Sequence, residues 1–179
     1  MSHRQNGCKC SSRTHRCCCP KPQKPCKCRK KPQIYCPCPS ELGGIQAQLR
    51  EADNLYLDDH EKVIFDIILR RSTPDITYHA ATGTFCLRKK GTYLINWDVA
   101  VEGSYYRPFV KFSLLANQVT IGSSTLPVTV GQLSGTSLLT VKNAPVEISL
   151  INDTNDTVQL SGFSPVANIT ITKVSNSCR

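Results

Sequence analysis

Residues 91–102, GTYLINWDVAVE, decide the fold. Tyr93, Ile95, Trp97, Val99 and Val101 fall on one side of a two-residue alternation, with Asn96, Asp98, Ala100 and Glu102 on the other, where Leu94 breaks the polar side. A helix would repeat its apolar stripe every three or four residues, so a run this long and this rich in aromatic and β-branched residues reads as a strand with one face in a core. Just before it, TGTFCLRK (82–89) reads as a turn at Gly83 and a short strand feeding the same sheet.

Working outward, the same pattern continues to the end of the chain. VIFDIIL (63–69) is apolar on both sides apart from Asp66, which predicts a strand covered on both faces. Further strands are expected at 109–116, with Val110, Phe112 and Leu114 inward, and at 126–130, 137–141, 146–150, 157–160 and 168–174. Pro74-Asp75, Gly103-Ser104, Asn117-Gln118, Gly122-Ser123-Ser124, Gly131, Gly135, Asn143-Ala144-Pro145, 152–156 and 162–165 supply the turns between them. Eight to ten short strands punctuated about every ten residues predict an all-β, antiparallel two-sheet sandwich or jelly roll over residues 61–179.

Upstream the chemistry changes. Residues 1–40 hold ten of the 22 Lys and Arg and none of the 13 Asp and Glu, so the +9 net charge belongs to this leader. They also hold nine of the eleven cysteines, Cys8, Cys10, Cys17, Cys18, Cys19, Cys26, Cys28, Cys36 and Cys38, together with six prolines. With so little apolar surface to bury, such a segment is expected to be an extended or disordered connector. A weak ten-residue repeat runs through it, seen in Lys21-Pro22-Gln23 against Lys31-Pro32-Gln33. Between leader and sandwich, residues 41–60 space Leu42, Ile45, Leu49, Ala52 and Tyr56 by three and four, which predicts a short helical neck formed where copies meet.

The leader thiols are the sharpest chemical feature. Two cysteines in C-x-C lie too close along an extended chain to bridge each other comfortably, so they suit partners on other chains. Neighbouring Lys and Arg favour thiolate and hence thiol exchange. Intermolecular disulfides are therefore expected from the nine leader cysteines and from Cys178 near the C-terminus. Metal is the rival reading, because C-x-C and the triplet Cys17-Cys18-Cys19 resemble thiolate clusters, but spaced C-x₂-C pairs and a following His pair are lacking and no metal or other cofactor is assigned. A basic tail would also bind phosphate without sequence preference, yet Tyr35 alone could stack on a base, and no specific nucleic-acid partner is expected.

Catalysis finds no constellation. Cys86 and His79 could make a nucleophile pair, but no orienting third group accompanies them, and the chain reads as a non-enzyme. Asp153 and Asp156 resemble a calcium loop only faintly. No run approaches the ~20 apolar residues of a membrane span, and MSHRQNGCKCSS has no apolar secretory core. The Asn-X-Ser/Thr triplets at Asn152, Asn155 and Asn168 accordingly read as turn and strand residues rather than glycan acceptors.

Two sets of motifs bring a resemblance. Tyr78-His79-Ala80-Ala81-Thr82-Gly83-Thr84-Phe85 followed by Gly91-Thr92-Tyr93-Leu94-Ile95 resembles the signature of the jelly roll shared by complement-q and tumour-necrosis-factor proteins. FSLLAN (112–117), GQLSGTSLLTV (131–141), EISL (147–150) and NITITKV (168–174) are similar to the C-terminal domain of BclA, the collagen-like protein of the bacterial exosporium. The resemblance spans about residues 61–175 and implies a jelly roll that assembles as a homotrimer on spore surfaces. The collagen stalk, whose every third residue is glycine, is missing, and the cysteine leader stands in its place.

The resemblance thus implies a structural subunit of a spore-surface layer or appendage fibre, made in the mother-cell cytoplasm. Its partners would be further copies and coat or exosporium proteins, with no membrane partner. Candidate trimer contacts are Val63, Phe65, Ile67, Tyr105, Tyr106 and Phe109. The alternative is a trimeric ligand- or surface-binding module with a metal-binding, cysteine-rich tail.

Overall fold

A computed structural model describes residues 43–50, 56–127 and 130–175. Their twelve strands are β1 (Gly44–Leu49), β2 (Tyr56–Leu57), β3 (Ile67–Arg71), β4 (Ile76–His79), β5 (Thr84–Leu87), β6 (Gly91–Ser104), β7 (Phe109–Ala116), β8 (Val119–Pro127), β9 (Gly131–Val141), β10 (Val146–Asn152), β11 (Val158–Leu160) and β12 (Ala167–Ser175). One sheet has seven strands in the order β2-β11-β6-β12-β1-β3, with β9 on the free side of β6; the other has five, β4-β5-β10-β7-β8. All the pairings are antiparallel. Consecutive strands repeatedly cross between the sheets, which is the jelly-roll arrangement.

β6 is the axis of the larger sheet. Its alternation buries Tyr93, Ile95, Trp97, Val99 and Val101 against the smaller sheet, while its other face looks outward. It pairs with β9 from Gly91 to Val101 on one side, and with β12 and then β11 on the other. Phe85, Phe112, Leu114, Ile148 and Leu150 close the core from the opposite sheet, and Phe65 packs edge-on against Phe85 at 5.7 Å. Gly135 lies opposite Trp97 in the ladder, and the indole occupies the space a side chain there would need.

The turns between β4 and β5 and between β7 and β8 follow the local chemistry. Gly83 (φ 59°) ends the short 3₁₀ turn at Ala80–Thr82. Asn117 (φ 47°) and Gln118 (φ 67°) make a two-residue hairpin between β7 and β8, with both central residues in the left-handed region that such turns demand.

The helical neck is corrected. Gly44–Leu49 is a strand, paired with β12 and β3, and Ile45, Ala47 and Leu49 point into the sandwich core. A period of two was present beneath the spacing of three and four, and burial against two neighbouring strands is worth more than a marginal two-turn helix carrying glycines. Tyr56 opens β2, while Leu42 and Ala52 lie outside the described residues. The strand expected at 63–69 is also revised. Val63 and Phe65 are buried, but the regular ladder begins only at Ile67. Gly122-Ser123-Ser124, read as a turn, lies within β8, and Gly131 and Gly135 lie within β9.

Candidate functional surfaces

Of the expected trimer contacts, Val63 and Phe65 are both 1% exposed within the protomer's own core and leave that set. Ile67 and Phe109 are half-buried, and Tyr105 and Tyr106 stand 60% and 89% exposed. The expected disulfide residues Cys8, Cys10, Cys17, Cys18, Cys19, Cys26, Cys28, Cys36, Cys38 and Cys178 lie outside the described residues. Cys86 is a free, partly exposed thiol on β5. Its cross-strand partners are Thr77 and Glu147, whereas His79 is paired with Thr84, so the register does not align a cysteine and histidine.

The outer face of the larger sheet is mostly uncharged. Asp98 on β6 accepts hydrogen bonds from Gln132 on β9 (2.8 Å) and Asn168 on β12 (2.9 Å), and Gln48 on β1 donates to Asn168, tying four strands together side by side. Thr136 donates to Asn96 (2.8 Å) in the neighbouring row. Leu94 and Leu138 lie opposite each other next to these rows, and Leu138 is 69% exposed. Such a face, with amides already engaged, Leu138 exposed and Leu94 half-buried beside it, offers low desolvation cost and some apolar area to another sheet.

Two carboxylates organise the far end of β6. Asp156 accepts from the Ser104 hydroxyl and from the backbone N–H groups of Tyr106 (2.6 Å) and Arg107 (3.2 Å). The Ser104 bond is the largest reason its carboxyl titrates below the ordinary range, followed by the Tyr106 N–H. Asp153 is drawn from solvent, which alone would raise its pKa, but the Lys111 ammonium at 2.6 Å and the Ser113 hydroxyl at 2.6 Å outweigh this and hold it low. Both loop carboxylates are thus spent on protein groups, which accounts for the faint calcium-like pattern without an ion. Among the described residues no group of three His, Cys, Asp or Glu side chains is placed to hold a metal.

Asn152 is fully buried and donates to the carbonyls of Leu57, Asp58 and Asp156, pinning β2 to the loop after β10. It is a structural residue, as the sequence reading held, and not a glycan acceptor. Held by this loop are three neighbouring rings: Tyr56 to Tyr105 at 5.8 Å and Tyr105 to Tyr106 at 6.2 Å between centroids. The hydrogen bond with Tyr56 is the main reason the Tyr105 phenol titrates above its usual value. The sequence reading had assigned Tyr56 to the neck and missed its place beside Tyr105. The available signal was the adjacent Tyr105-Tyr106 pair in a turn just past a strand end.

At the other end of β6, Lys173 is buried beneath Gly91, its ammonium 3.9 Å from Asp75 and 5.8 Å from the centre of the Tyr93 ring. Asp75 also holds Lys89 at 3.0 Å. Among the described residues no helix is long and apolar enough to cross a membrane.

No family model matches the chain, and no curated protein does either. Solved structures do. The Eiger TNF of S. frugiperda aligns with a TM-score of 0.60 at 11% identity, over 77% of this chain and 96% of that one. Murine APRIL aligns at 0.56 and 9% identity over 75% and 100%. The globular domain of zebrafish complement 1qA aligns at 0.54 and 14% identity over 76% and 98%.

Proposed function

From a head with the TNF and complement-1q jelly roll, we propose that this chain is a non-enzymatic structural subunit of a bacterial spore-surface layer or appendage fibre. Heads associate as homotrimers, and the cysteine-rich leaders join them to one another or to coat and exosporium proteins by disulfides. The observation that carries this reading is the joining of two unlike segments: a sandwich with structural likeness to TNF and complement-1q domains, and a leader holding nine of eleven cysteines and no acid. The motifs shared with the BclA C-terminal domain support the exosporium placement and synthesis in the mother-cell cytoplasm.

The outer face of the larger sheet, with Leu94, Leu138 and the half-buried Ile67, is the surface assigned to the trimer. Its polar rows would be met by their counterparts on a neighbour, and the exposed Leu138 with Leu94 beside it would supply the apolar centre. Nine thiols per leader give many ways to close bonds between chains, so the assembled material would resist heat and solvent until reduced. Electrophoresis of native material with and without thiol reductant tests the linkage. A ladder of covalent multimers that collapses to single chains on reduction is expected. Material that runs as single chains without reductant would defeat it.

A further inference from the structure

β6 carries the chain from one end of the sandwich to the other. Leu94 is level with Thr172, and Thr172 with Gly44, so the first strand of the head begins beside the start of β6. Ser104 lies ten residues further on, and at about 3.3 Å per residue that is on the order of 30 Å away. Tyr56, Tyr105 and Tyr106 stand at this far end. Asp156 grips the backbone of Tyr106 and Arg107, so the loop that presents the outermost ring is fixed rather than loose.

The surroundings of the rings are acidic. The acids of the neighbouring segments are Asp58, bonded to Thr157, Asp59, bonded to the Asn155 N–H, Glu61, bonded to the Asp58 N–H, and Glu102, bonded to Gln159; set against them are Arg107, bonded to the Asn155 carbonyl, and His60, 3.4 Å from Asp59, while Lys111 is already paired with Asp153. Exposed rings edged by carboxylates fit a ligand that is both apolar and cationic.

Residues 20–35, PKPQKPCKCRKKPQIY, have that character: six basic residues, four prolines and no acid. Lys21, Lys24, Lys27 and Lys30 recur every third residue, and Pro22 and Pro25 keep the same interval. A polyproline II chain has three residues per turn, so in that conformation the lysines would share one edge and the two prolines the next. Proline-rich segments of this kind dock against aromatic-lined surfaces with little ordering entropy left to lose.

We propose that the tyrosine end of each head receives residues 20–35 of another copy's leader, with Pro22 and Pro25 against the rings and the lysine edge facing the carboxylates. This rests on the connector reading above and names the surface that receives the connector. Gly44, the start of the first described strand, is at one end of the head and the receiving surface is at the other. The contact is therefore heterologous, does not close on itself, and repeats along a line. It is non-covalent and operates with the thiols reduced, positioning the leaders before oxidation fixes them.

The test uses the full chain in reductant. A photo-reactive benzoylphenylalanine replaces Tyr106, isotope-labelled and unlabelled chains are mixed and irradiated, and the cross-linked peptides are identified by mass. Cross-links between labelled and unlabelled chains that end within residues 20–35 are expected, and they should fall at least tenfold when Lys21, Lys24, Lys27 and Lys30 are all changed to Ser. Cross-links to another head make the tyrosines a head-to-head contact and overturn the proposal. Cross-links confined to one chain, or none, overturn it too. Tyr105→Ser/Tyr106→Ser in the otherwise natural chain separates the two readings. Slower formation of its oxidised multimers than in the natural chain is expected; multimers that form as before would leave the disulfide linkage standing and overturn the docking.

Discussion

The two ends of the head are built on opposite principles. Where the chain enters, charge is taken inside: Lys173 is buried under Gly91, with Asp75 and the Tyr93 ring for company. At the far end charge stays at the surface, and apolar rings are pushed out beside it, held by the bonds of Asp156. The first arrangement anchors the end of the sandwich at which β1 begins. The second spends hydrogen bonds to hold exposed aromatic surface in place, as a surface that another molecule covers would require. The comparison gives the head a direction, with a packed end and an end that presents aromatic rings.

The largest effect should come from erasing the distinction altogether. Trp97 lies midway along β6, and Trp97→Ala should cost about 3–5 kcal/mol, because the cavity opposite Gly135 has rigid strands on both sides and cannot collapse. Urea unfolding should move as one transition, with both ends lost together. A variant that loses one end alone would show that they are not parts of a single cooperative core.

A smaller effect should mark the entry end. Asp75→Asn leaves the buried Lys173 ammonium without its carboxylate, a loss of roughly 2–3 kcal/mol once the 3.9 Å separation is allowed for. Asp75→Asn combined with Lys173→Met should recover most of it, since an apolar side chain of similar length suits the site. Failure of the double variant to recover would mean that the pair is held for geometry rather than for charge.

The smallest effect should mark the tyrosine end, and it depends on pH. Asp153 and Asp156 both titrate lower in the folded head than in an unfolded chain. Their contribution is therefore complete above the ordinary carboxylate range near pH ~4 and is lost as pH falls through their lowered folded values. Near-ultraviolet circular dichroism of the tyrosines should hold from pH 7 to 5 and decline below about pH 4 before the far-ultraviolet strand signal does. Asp156→Asn should weaken that acid step; an unchanged step would place its origin elsewhere.

How much of this was legible beforehand follows the physics of each strand. β7 was read at Phe109–Ala116 as it stands, and β6 was recognised from its alternation, because both present one clean apolar face. β1 was misread because Ala47 is too small to announce a buried position, and the larger residues on either side happen to fall at helical spacing. β8 escaped because Gly122, Ser123 and Ser124 belong to an exposed strand at the edge of the smaller sheet, where little burial leaves a mark on composition. The surfaces were harder still. Val63 and Phe65 read as surface contacts because an apolar run does not say which of two covers it has, the protomer or its neighbour. Tyr56 could not be joined to Tyr105 from sequence, since the pairing of β2 with β11 that brings them together spans about a hundred residues.

The central claim is that heads form threes and that leader thiols string the threes together. Sedimentation of the oxidised full-length protein, before and after complete thiol reduction and alkylation at high salt, tests it most directly. The account predicts large, polydisperse assemblies that fall to a single species of three chains. A reduced species of one chain, or large assemblies unchanged by reduction, would contradict it.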